Sequence, residues 1–154
     1  MTAAASTGAN GTSAPKTSRP GTFPRGGCLL DSSVVIEMIR GNRAVTARTA
    51  ALPEVWVCPV ALGELYAGAV RSGRPAAEVR KIRRALFGVR RLTIGPRTAR
   101  AYARVKATLL AAGAPIPEND LWIAATAVRC RLTLVTHDAH FTRVAGLRTQ
   151  IWPK

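Results

Sequence analysis

Acidic residues are scarce in this chain. Eight Asp and Glu stand against 23 Lys and Arg in 154 residues, a net charge of +15. So basic a protein repels itself and attracts polyanions, nucleic acid first among them; the plainer reading is that the arginines only solubilise. The three cysteines, Cys28, Cys58 and Cys130, are scattered through apolar segments. That spacing excludes a disulfide framework and a cysteine metal site, and it suits buried thiols in a reducing compartment. No run approaches the roughly 18 apolar residues that span a bilayer. The N-terminus has no apolar signal core, so a soluble, intracellular protein is expected. Neither a Gly-x-x-x-x-Gly-Lys loop nor a Gly-x-Gly-x-x-Gly turn occurs, which removes the usual signs of nucleotide hydrolysis and of a dinucleotide cofactor. There is no internal repeat.

What is present is enough for one domain, with 47% hydrophobic residues to build its core. Residues 1–26 are rich in Ala, Ser, Thr, Gly and Pro and carry no acid. Such a stretch cannot bury enough surface to fold alone, and a disordered tail is expected, followed by a domain over 27–154. GCLLD reads as a buried strand ending at Asp31, and SSVVIEMIRG as a helix capped by Ser32 or Ser33 and closed by Gly41. VWVCPV is a second strand. ALGELYAGAVRSG is a helix burying Leu62, Leu65, Tyr66 and Ala69, with Glu64 off that face. RPAAEVRKIRRALFGVRR is amphipathic through Val79, Ile82 and Leu86, and LTIG is a third strand. PRTARAYARVKATLLAAG opens on Pro96 and ends at Gly113, a well-punctuated helix. PENDLWIAATAVRC is a buried helix with Asp120 at its entrance, LTLV a buried strand with Asp138 just beyond, and LRTQIWP an edge strand stopped by Pro153. The alternation predicts a three-layer α/β/α fold around a mostly parallel sheet.

The placement of the few acids carries information. Glu37, Glu54, Glu78 and Glu118 read as surface or capping residues. Asp31, Glu64, Asp120 and Asp138 lie instead beside apolar runs, at the ends of core elements. Ligands of open parallel sheets bind outside the carboxyl ends of the strands, so all four can converge on one rim. Singly, each has a bland explanation as a cap, a turn or a surface acid; together, in so acid-poor a chain, they call for a common one. Two carboxylates about 4 Å apart repel by roughly 4 kcal/mol at an effective dielectric near 20. Either some stay protonated or a divalent cation neutralises them, and an all-oxygen set suits Mg²⁺ or Mn²⁺ rather than zinc. That arrangement serves phosphoryl transfer.

Three stretches, LLDSSVVIEMI, CPVALGELYAGA and PIPENDLWIAATAVRCRLTLVTHDAHFTRVAGL, resemble the successive motifs of the PIN-domain ribonucleases, specifically the VapC-type toxins of bacterial toxin–antitoxin pairs. The likeness runs from about Gly27 to Trp152. Its most specific parts are an acid followed by two small hydroxyls after a strand, and Asp-x-x-Ile-Ala-Ala leading to Thr-x-Asp-x-His-Phe. The resemblance implies a PIN-like fold and an endoribonuclease using Mg²⁺ or Mn²⁺ held by Asp31, Glu64, Asp120 and Asp138, with Ser32 and Thr136 as small hydroxyls beside the acids. Asp138 matches the most variable acidic position. The resemblance further implies a cytoplasmic toxin restrained by a cognate antitoxin, in a homodimer or a toxin–antitoxin hetero-oligomer. It assigns neither His137 nor His140 to catalysis, and His140 and Phe141 read as packing residues. Arg97, Arg100 and Arg104 share one helix face and form either a solvated surface or an RNA-binding one. Trp56, Tyr66 and Trp122 read as core. Two alternatives from other classes remain: a non-catalytic RNA-binding module of the same fold, and a nuclease acting on DNA. A phosphatase with an aspartyl nucleophile is disfavoured, because Ser33 stands where its second acid would be.

Overall fold

The computed structural model of the chain describes residues 26–153. Apart from Gly26, the anticipated N-terminal tail lies outside the described residues. Five strands and six helices follow in the order β1 (Cys28–Leu30), α1 (Ser32–Ile39), α2 (Arg43–Ala50), β2 (Val55–Val57), α3 (Pro59–Val70), α4 (Pro75–Ala85), β3 (Arg90–Arg91), α5 (Pro96–Ala111), α6 (Glu118–Cys130), β4 (Thr133–Thr136) and β5 (Arg148–Ile151), with a 3₁₀ turn at Ala139–Arg143. The sheet order is β3-β2-β1-β4-β5, and every pairing is parallel.

This order has one reversal. The chain lays down β1, β2 and β3 outwards in one direction, then returns to place β4 on the other side of β1. A reversal in a parallel sheet is where the loops beyond adjacent strands diverge and leave a crevice. Here the crevice lies beyond the carboxyl ends of β1 and β4. Helix α1 packs on α2, α3 and α4, whereas α5 packs on α6, and the two groups meet where α3 touches α6.

The central strands are apolar on both faces, as strands covered by helices on both sides must be. Leu29, Leu30, Leu134 and Val135 are completely buried. Helix α6 buries Leu121, Ile123, Ala124, Ala125, Thr126, Ala127 and Cys130, so it is enclosed almost all round, and small alanines let it lie close to its neighbours. It stops at Arg131, whose φ of 56° is left-handed. At the sheet edges the strands turn polar. β3 is two exposed arginines, a charged, short edge of the kind that discourages pairing with another chain.

Four expectations are corrected. The helix α2 is additional: Asn42 Oδ1 accepts from the Val45 amide at 3.2 Å, restarting a helix just past Gly41, but only Val45 and Thr49 on it are buried, too weak a stripe to read. The third strand lies at Arg90–Arg91, before LTIG; Leu92 still donates to the Val57 carbonyl at 2.9 Å, and the chain then leaves the sheet. Neither Ser32 nor Ser33 caps α1, because Asp31 holds that position and both hydroxyls are used elsewhere. Tyr66 is exposed and Trp122 only half-buried, where its ring stacks on Tyr102 at 4.2 Å between centroids; Trp56 is core, as expected. The three cysteines are free and buried, and no helix among the described residues is long and apolar enough to cross a membrane.

Candidate active site

Asp31 stands in the crevice, one residue past β1 and 2% exposed. Its amide donates to the Val135 carbonyl at 3.0 Å, which prolongs the β1–β4 ladder and fixes the backbone. Its Oδ2 accepts from Ser33 Oγ at 2.6 Å and from Thr136 Oγ1 at 2.8 Å. Both hydroxyls also serve the strand end opposite: Thr136 Oγ1 accepts from the Asp138 amide at 3.0 Å, and Ser33 Oγ from the His137 amide at 3.3 Å. A buried carboxylate needs such partners. Burial pushes the Asp31 carboxyl above its usual range, the two hydroxyl donors oppose that, and the charge of Asp138 pushes it further up.

Glu64 comes from the second turn of α3 and is gripped by both oxygens. Ser32 Oγ donates to Oε2 at 2.6 Å, and Asn119 Nδ2 donates to Oε1 at 2.9 Å. The Asn119 bond joins α6 to α3, and it comes from the residue just before Asp120. Asp120 lies in the first turn of α6, where a negative charge is favoured by the helix dipole. Its Oδ2 is 2.9 Å from His140 Nε2, with side-chain exposures of 17% and 25%. Burial raises the Asp120 carboxyl to about 6, Asp31 adds to that, His140 opposes it, and Glu64 raises it again. Asp138 precedes the 3₁₀ turn.

The four acids expected from the sequence therefore act on one another: Asp120 feels Asp31 and Glu64, and Asp31 feels Asp138. Ser32 and Thr136 stand against the acids as expected. Ser33, Asn119 and His140 were not anticipated there. Ser33 reads from the sequence as a candidate cap, and Asn119, beside Asp120, carries no local signal of its own. His140 does pack on Phe141, with ring centroids 4.7 Å apart, but its Nε2 engages Asp120, so the reading of it as a packing residue alone is corrected. Its position two residues past Asp138 was the available signal. His137 turns the other way, with Nδ1 2.7 Å from the Trp152 carbonyl. Glu37, Glu54, Glu78 and Glu118 pair with Arg40, Arg90, Lys81 and Lys106, the surface role expected of them.

Whether these residues suit a divalent cation can be tested on their chemistry. Among the described residues no three Asp, Glu, His or Cys side chains form a ready-made metal cluster; the carboxylates of Asp31, Glu64 and Asp120 are turned onto hydroxyls, an amide and an imidazole. Mg²⁺ does not require such a cluster, since it is usually held by one or two carboxylates and keeps several waters. The donors are oxygens, the cysteines are buried in the core, and two carboxyls are raised partly by mutual repulsion that a cation would relieve. The carboxylate set fits a hard cation. Arg97, Arg100 and Arg104 are exposed on α5 and are not among the partners of the acids.

Comparison with known proteins gives a consistent result. Residues 28–147 match the sequence profile of the PIN domain. The chain is 32% identical over 127 residues to "Ribonuclease VapC2" of Haemophilus influenzae, covering 80% of this chain and 96% of that protein. It is 36% identical over 112 residues to "Ribonuclease VapC4" of Mycobacterium tuberculosis, covering 71% and 85%. Among solved structures it superposes on VapBC-1 from nontypeable Haemophilus influenzae with a TM-score of 0.74 at 28% identity, covering 83% of this chain and 99% of that one. VapBC2 from Rickettsia felis, solved bound to a DNA fragment from their promoter, gives 0.78 at 21% identity over 82% and 98%; at that identity the likeness is one of fold.

Proposed function

Since this chain belongs to the PIN-domain family and, within it, to the VapC ribonucleases, we propose that it is the endoribonuclease toxin of a toxin–antitoxin pair and cuts RNA phosphodiester bonds with Mg²⁺ or Mn²⁺. The observation that carries this reading is that Asp31, just past β1, Glu64 of α3 and Asp120 of α6 meet at one crevice, where Ser32 beside Asp31 and Asn119 beside Asp120 both hold the Glu64 carboxylate. Three elements distant in sequence deliver repelling carboxylates to one crevice, an arrangement that costs stability and is explained by a cationic ligand.

Asp31, Glu64 and Asp120 would hold the cation, with Asp138 adding negative field from the loop past β4. When bound, the cation would activate water and neutralise charge developing on the phosphate. The chain's own residues do the positioning. Ser33 and Thr136 hold the Asp31 carboxylate, Ser32 and Asn119 fix both oxygens of Glu64, and His140 orients Asp120. One of these carboxylates would also take the proton of the attacking water.

The proposed partners follow the relatives, which are described as VapBC complexes: a cognate antitoxin, in a homodimer or hetero-oligomer, in the cytoplasm. Residues 27–154 would be the nuclease domain. The test is incubation of the full chain with single-stranded RNA and DNA of matched sequence, with Mg²⁺, Mn²⁺ or chelator, followed by mapping of new ends. Internal RNA cuts that vanish with chelator and with Asp31→Asn are expected. RNA binding without product in a folded sample would leave only the binding module, and preferential cutting of DNA would replace the substrate.

A further inference from the structure

A second surface lies away from the acids. A groove of about 530 Å³ runs between α5, the end of α6 and the segment at Val144 and Ala145. Arg97, Arg100, Arg104 and Arg129 line it over an apolar floor that includes Val105 and Leu109. No acid lines it, and neither do the residues that hold the acids of the crevice. The three α5 arginines make no ion pair with any acid among the described residues, all of whose salt bridges involve other cations. At 1.5 Å per residue, Arg97 to Arg104 spans about 10 Å, and Arg129 lies about 13 Å along α6 from Asp120.

We propose that this groove holds the phosphate backbone of the RNA at a distance from the bond being cut; the proposal rests on the ribonuclease reading above. Guanidinium groups form planar, bidentate contacts with phosphate oxygens. No aromatic ring lines the groove, so it lacks the stacking platforms with which proteins grip unpaired bases. The contact is with the backbone, indifferent to sequence, and it adds affinity rather than choice of cleavage site. An acidic segment of an antitoxin is the competing occupant. The RNA is favoured because the three α5 arginines, none of them in an ion pair among the described residues, form a row about 10 Å long that suits successive phosphates of a backbone in a chain of net charge +15.

The test measures binding of labelled single-stranded and stem-loop RNA oligonucleotides to the full chain in chelator, so that no cleavage intervenes, as a function of salt. The variants are Arg97→Gln/Arg100→Gln/Arg104→Gln and, as an equal loss of charge elsewhere, Arg80→Gln/Arg83→Gln/Arg84→Gln on α4. Each phosphate neutralised contributes about 0.7 to the slope of log affinity against log salt for single strands. The α5 variant should therefore lose about two units of slope, so that the fall in affinity between 50 and 200 mM salt shrinks by about 20-fold. The α4 variant should keep most of its slope. Equal losses in both variants, or an unchanged slope in the α5 variant, would overturn the proposal. So would an α5 variant that keeps its RNA slope but loses antitoxin affinity, which would assign the groove to the antitoxin. If wild-type chain binds RNA with the predicted slope yet cuts none in Mg²⁺, the cleavage reading fails while the groove stands. Cleavage intact with the slope unmoved fails the groove alone.

Discussion

Replacing Asp120 by Asn should make the protein more stable above pH 6 when no divalent cation is present, although it deletes an acid of the active crevice. The Asp120 carboxyl is raised from 3.8 to about 6, first by burial and then by Asp31 and Glu64, with His140 opposing. A group whose folded pKa exceeds its unfolded one binds more protons folded than unfolded between the two values. Stability is therefore full below about 4, falls as the pH rises through about 6, and stays low above it. At about 1.4 kcal/mol per pH unit the ionised side chain costs about 3 kcal/mol at pH 8. The side chain is 17% exposed, so solvent screens little of this. Asparagine keeps the shape, removes the charge and weakens one contact with His140 worth about 1 kcal/mol. The variant should gain about 2 kcal/mol at pH 8, and its advantage should grow by about 1 to 2 kcal/mol between pH 5 and 8. Urea unfolding in chelator at both pH values measures this. An advantage independent of pH, or a variant less stable than wild type at pH 8, would refute the electrostatic account. Adding Mg²⁺ should then stabilise wild type by binding to the folded state and leave the variant largely unmoved.

Three further outcomes follow from the same contacts. Ser32→Ala combined with Asn119→Ala frees both oxygens of Glu64; because misplacement of a site group by about 1 Å can cost 100-fold, kcat for RNA cleavage should fall 10- to 100-fold while the urea midpoint barely moves. Thr136→Val preserves volume but removes a donor to Asp31 and an acceptor for the Asp138 amide, and unfolding should show a loss of about 2 to 4 kcal/mol. Gly27→Ala would place a Cβ 2.8 Å from Leu132 Cδ2, beside Trp56, and should cost about 1 to 3 kcal/mol in thermal unfolding.

Legibility of the fold in the sequence followed the strength of burial. β1, β4 and α6 could be read because their apolar runs are buried on nearly every face, and the helices with proline entrances and glycine exits were well marked. The helix α2 escaped notice because two buried residues do not make a stripe. β3 was displaced because edge strands carry arginines where a central strand would carry valines. The four candidate acids could be singled out because the chain has few others and each lies beside an apolar run. Asn119, Ser33 and His140 were not, because what they do depends on which side chain lies across the crevice, and that is set by strand order rather than by any local pattern. Glu64 is held by residues 32 and 55 positions away. No local window brings those positions together.

Asp31, Glu64 and Asp120 must together bind a hard cation if the chain cuts RNA as proposed. Crystals soaked in Mn²⁺ and measured for anomalous scattering test that most directly. A manganese peak in the crevice beyond β1 and β4, in contact with Asp31 or Asp120 and absent from Asp31→Asn crystals, is the predicted result. Manganese absent from the crevice at saturating concentration, in crystals of a protein that still cuts RNA, would contradict it.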